Sequence, residues 1–79
     1  MDVIEKRWTA HAEEHLKGRK IKHVRYMTKE EADAMDWYKR PLVMVLDNGT
    51  IIYLSMDDEG NGAGSLFTSH DDLPIIPVI

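Results

Sequence analysis

The residues best suited to chemistry begin with the run Asp57-Asp58-Glu59-Gly60-Asn61-Gly62-Ala63-Gly64, three carboxylates and an amide set among glycines. Read as a calcium loop, Asp57, Glu59 and Asn61 take positions 1, 3 and 5, and Gly62 takes the turn position 6. Position 12 then falls on Thr68, where a hard cation needs a bidentate glutamate, and the flanks read as strand rather than helix. The competing reading is a solvated loop whose glycines permit left-handed backbone and whose acids cap local amides. A second group is His11-Ala12-Glu13-Glu14-His15. Two histidines at i, i+4 share a helical face, as in a zinc-protease helix. The glutamate that must directly follow the first histidine is replaced by Ala12, and the spacing offers no third ligand. These histidines therefore read as packing groups beside Trp8, partly buried at an interface.

Two further groups are basic or aromatic. Lys17 to Arg25 (K-G-R-K-I-K-H-V-R) could track phosphates along a strand beside Tyr26, although lysines on an edge strand more often block edge-to-edge aggregation. Trp37-Tyr38-Lys39-Arg40-Pro41 has the composition of a binding hot spot. The alternative is structural, with Trp37 capping a small barrel and Arg40 pairing with Asp57, Asp58 or Glu59 to hold the loop.

Composition narrows the classes. The chain carries a net charge of -4, which disfavours nucleic acid as a partner, because phosphate neutralisation dominates that affinity. It has no cysteine, hence no disulfide framework and no thiolate zinc site. Apolar content of 43% with 30% charged residues is that of a globular chain rather than a disordered one. No apolar run reaches the ~20 residues of a membrane span, and M-D-V-I-E-K-R-W lacks the apolar centre of a signal peptide. A cytoplasmic protein without cofactor or membrane contact is expected. No nucleophile–base pairing, P-loop or dinucleotide fingerprint is present, so an enzyme is not expected.

The elements that must position these groups are short. At 100° per residue, Ile4, Trp8, His11, Ala12 and His15 share a stripe, which predicts a helix over 2–17 stopped by Gly18. Lys20 to Met27 reads as a strand. Thr28-Lys29-Glu30-Glu31 is a capping box that opens a helix to about Trp37, with Ala32 and Met35 inward and Arg40-Pro41 as its stop. Leu42 to Met56 is two apolar arms around Asn48-Gly49, the signal of a type I′ hairpin. That turn would pair Leu46 with Ile51, Val45 with Ile52, Met44 with Tyr53 and Leu42 with Ser55, bringing Arg40 level with Asp57. Both faces of the hairpin are apolar, so neither can be left to water. Ser65 to Thr68 and the proline-marked tail Leu73 to Ile79 complete the strands.

The expected fold is α+β, mainly antiparallel β: one domain over 1–79, with a leading helix at 1–18 and a small SH3-like barrel of about five strands over 19–79, carrying a short inserted helix.

The segments V-R-Y-M at 24–27, W-Y-K-R-P at 37–41, L-D-N-G-T at 46–50 and D-D-E-G-N at 57–61 give the chain a resemblance to a group of small uncharacterised bacterial and phage-encoded proteins. It spans roughly residues 20–67 and leaves the leading helix outside. No activity is assigned to the group, so the resemblance implies no catalytic or binding residue.

The functional expectation is a non-catalytic interaction module. It would bind a protein partner through Trp37, Tyr38 and Arg40 beside Asp57, Asp58, Glu59 and Asn61, and would self-associate as a homodimer because the helix stripe is too small to cover the hairpin. A divalent-cation domain using the 57–61 loop is the alternative, and a nucleic-acid-binding barrel using the 17–25 edge is a weaker one.

Overall fold

Asp2 starts the first helix: its carboxylate accepts from the Glu5 amide at 2.7 Å, a side-chain N-cap. The computed structural model describes residues 2–79; Met1, counted in the expected domain, lies outside them. Helix α1 spans Val3–Leu16 and ends before Gly18, whose φ of +77° is the left-handed stop its sequence position predicts. No residue of α1 is buried. The described residues of the chain therefore leave its stripe uncovered, and His11 and His15 are exposed there.

The other elements are β1 (Ile21–Tyr26), α2 (Lys29–Ala34), β2 (Leu42–Leu46), β3 (Ile51–Tyr53), β4 (Leu66–Phe67) and β5 (Ile75–Ile76). They form an antiparallel three-stranded sheet in the order β1-β2-β3 and a separate antiparallel pair, β4-β5. The fold is α+β, with five short strands among the described residues. No closed barrel is found among the described residues, because β4 and β5, two residues each, pair only with one another. β1 is a sheet edge and carries Lys22, with a bulge between Ile21 and His23.

The β2-β3 hairpin forms where expected, with a different turn. A type I′ turn needs φ > 0 at both central residues, and only Gly49 has it, at +87°. The Gly49 amide donates to the Leu46 carbonyl at 3.0 Å, and the Leu46 amide donates to Thr50 at 2.8 Å. This is a three-residue loop closed by a left-handed glycine. Asn48 contributes through its side chain instead, accepting from the Thr50 amide at 3.1 Å. Val43 consequently faces Tyr53, Met44 faces Ile52 and Val45 faces Ile51, one residue off the type I′ register. Such a slip changes which residues share a face. Val43 and Tyr53 now lie on one side, Met44 and Ile52 on the other.

The core sits where α2 crosses the Val43 face: Met27, Ala32, Trp37 and Val43 are buried together, with Ala63 packed against them. Helix α2 carries the full capping box, Thr28 accepting from the Glu31 amide and Glu31 from the Thr28 amide. It stops earlier than Arg40-Pro41. The Trp37 amide donates to Ala32 at 2.9 Å and the Asp36 amide to Asp33 at 3.1 Å, with Asp36 at φ +59°. This is a Schellman closure in which aspartate takes the usual glycine position. Met35, expected inward, is left partly exposed by it.

Candidate functional site

The Schellman turn decides where the aromatic pair points. Trp37 turns in and is 4% exposed, whereas Tyr38, one residue later, is 100% exposed. The Trp37 indole donates Nε1–H to the Gly60 carbonyl at 2.7 Å and meets Tyr53 edge-on, with ring centroids 6.0 Å apart. Trp37 is therefore what holds the acidic loop. Arg40, expected to do so, enters no ion pair among the described residues; its Nη1 donates to the Met27 carbonyl at 3.3 Å. Two features of the fold explain this. β3 ends at Tyr53, so the chain leaves the hairpin before Asp57 can come level with Arg40. The Arg40 backbone is instead paired with Ile79, donating at 2.7 Å and accepting at 3.0 Å.

The loop is closed on itself. One Asp57 carboxylate oxygen accepts from the Glu59 amide at 3.0 Å and the Asn61 amide at 3.1 Å, and the other accepts from Asn61 Nδ2 at 2.8 Å. These bonds, those to Asn61 foremost, hold the Asp57 carboxyl below its ordinary range. The oxygens that a cation would use at position 1 are thus engaged in turn-building. At the base of the loop, the Met56 amide donates to Gly62 and the Gly64 amide to Leu54, each at 2.8 Å.

Three of the seven expected binding residues come together. Trp37, Tyr38 and Arg40 line a shallow cleft of about 520 Å³ with Lys29, Ala32, Asp33 and Ile79. Asp57, Asp58, Glu59 and Asn61 do not line it. Lys29 pairs with Asp33 at 3.2 Å along α2, which leaves the Arg40 guanidinium as the cleft's cation without a carboxylate partner. Lys29, Asp33 and Ile79 escaped the sequence reading. The i, i+4 spacing on α2 signals the first two, whereas nothing local signals that Ile79 returns to Arg40.

At the start of α2, Arg25 makes a two-pronged contact with Glu31, at 2.8 and 3.2 Å. Arg25 foremost, then the Thr28 amide, pulls the Glu31 carboxyl down to about 2. Both partners are solvent-exposed, so this geometry orients α2 more than it stabilises the fold.

Among the described residues, the one convergent group of metal-ligating side chains is His11, Glu14 and His15 on α1. Glu14 supplies the third donor that the zinc-protease pattern, centred on the residue after His11, does not look for. No helix among the described residues is long and apolar enough to cross a membrane. Comparisons with protein-family models, curated proteins and solved structures return no match to this chain.

Proposed function

We propose that this chain is a non-catalytic interaction module that grips a segment of a protein partner in the cleft beside Trp37. Tyr38 and Arg40 are its contact residues. The observation that carries this reading is Tyr38, fully exposed one residue after a buried tryptophan. An aromatic ring held in water on a fixed frame supplies contact area at little entropic cost when a partner covers it. The frame is fixed on both sides, by the Schellman closure before Tyr38 and by the Arg40–Ile79 pairing and buried Pro41 after it. The unpaired Arg40 favours a segment carrying a carboxylate beside an apolar residue. The acidic loop supports the cleft through Trp37 without touching the partner.

Selection of a displayed peptide library on the purified chain tests this. Selected peptides should combine an acidic and an apolar residue, and Tyr38→Ala and Arg40→Ala should each weaken them about tenfold or more. Peptides that bind both variants undiminished refute the assignment.

Self-association belongs to the same proposal. The tail is occupied within its own chain, β5 by β4 and Ile79 by Arg40, and the Tyr26 hydroxyl donates to Pro77 at 2.7 Å. That leaves α1 as the seam, where Val3, Ile4 and Trp8 are 82%, 71% and 67% exposed. Light scattering at neutral pH should give twice the 9.1 kDa chain mass, and a mass of 9.1 kDa refutes the dimer.

A further inference from the structure

We propose that α1 carries a binding site for a divalent transition-metal ion, of the zinc, nickel and copper class, formed by His11, Glu14 and His15. Each of the three offers one donor atom, and these atoms lie within 4.8 Å of one another. The cause is helical spacing: at 100° per residue the three occupy an arc of about 100°, two imidazoles one turn apart with the carboxylate beside them. A tetrahedral ion with ligand distances of about 2.0–2.2 Å needs donors about 3.3–3.6 Å apart. All three side chains are exposed, and none is engaged in a hydrogen bond or ion pair among the described residues. Small side-chain rotations therefore close the remaining distance without breaking a hydrogen bond or ion pair. The nearest competing pair, Lys17 and Glu13, is satisfied at 3.3 Å and leaves Glu14 free.

The donor set selects the ion. Two imidazoles and one carboxylate suit zinc, nickel and copper, whereas calcium and magnesium require a shell of oxygens that a single carboxylate does not provide. Three ligands from one exposed helix leave at least one coordination position open to water or to a donor from another molecule. Trp8 lies beside the site, its ring centroid 6.2 Å from that of His11. It is thus an optical reporter for a paramagnetic ion held there. Binding also clamps two successive turns of a helix that no core supports, so the ion should raise the helicity of α1. The three donors come from one helix, so the site stands independently of the cleft beside Trp37.

The experiment uses the full chain without an affinity tag. Calorimetric titration with zinc chloride should show one ion bound per chain, and copper(II) should quench the Trp8 fraction of the fluorescence at saturation. His11→Ala and His15→Ala should each weaken zinc binding at least about tenfold, because losing even an outer-shell partner of a metal ligand costs that much. Glu14→Gln should weaken it less. Trp8→Phe should keep the zinc affinity while abolishing most of the copper quench. Because none of these side chains is buried, circular dichroism should show an unchanged fold in each variant. Zinc binding that is unchanged in both histidine variants, or no saturable binding up to about 100 μM, overturns the site.

Discussion

The chain has two tryptophans, and they stand in opposite situations. Trp8 belongs to a helix of 14 residues, none of them buried, whereas Trp37 follows a helix of 6 residues and is 4% exposed. The shorter helix is the better specified. It has a capping box at one end, a Schellman closure at the other and Ala32 pressed into the core between them. The longer one has a cap and a glycine stop but nothing to lie against. Length alone does little for a helix in water; burial of a face does most of the work. The contrast divides the molecule into a frame that holds the cleft and an arm that displays apolar and metal-ligating side chains.

Substitution of the two tryptophans breaks the comparison most directly. Trp37→Ala removes a buried ring and its bond to Gly60, and should cost about 3–5 kcal/mol in denaturant unfolding. Trp8→Ala, measured in dilute protein, should stay within about 0.5 kcal/mol. Equal losses would show that α1 is packed after all.

The loop base is the next most sensitive place. A Cβ at Gly64 would sit 2.7 Å from the Ser55 carbonyl oxygen, which is backbone and cannot swing aside. Gly64→Ala should therefore destabilise the frame by about 1–3 kcal/mol, whereas Gly62→Ala meets only the flexible end of Met56 and should cost less. Asp36 sharpens the account of α2. At φ +59°, Asp36→Val should lose about 1–2 kcal/mol by thermal melting, and Asp36→Gly should lose little or nothing.

The smallest effect concerns acid. Glu31 has its carboxyl lowered in the folded state to about 2, so its contribution is present above the unfolded carboxylate range and is lost as pH falls from about 4.5 toward 2. Glu31→Gln should flatten that part of the stability-versus-pH curve while leaving the curve's shape near neutral pH unchanged. An identical acid slope in the variant would remove Glu31 as its source.

What could be read before the fold was known was local chemistry. Thr28 and Glu31 announce the capping box, Gly18 the end of α1, and Asn48-Gly49 a hairpin. The register of that hairpin depended on whether Asn48 itself takes positive φ, which composition does not decide; its side chain bonds to Thr50 instead. The misplacement of Arg40 against Asp57 follows from that single residue of slip and from the early end of β3. The anchor between Trp37 and Gly60 spans 23 positions, beyond the reach of any periodicity. Periodicity likewise draws the stripe on α1 without saying what covers it, and Glu14 was hidden by a search pattern that placed the acid next to His11.

The two indole N–H groups give the most direct measurement of the central claim, that partners bind at the frame beside Trp37. A peptide from the display selection is titrated into isotope-labelled protein, and the Trp8 and Trp37 Nε1–H resonances are followed by NMR. The account requires the Trp37 indole and the amides of Tyr38, Arg40 and Ile79 to shift saturably while the Trp8 indole stays in place. Movement of Trp8 with Trp37 unmoved would put the binding surface on the arm and contradict it.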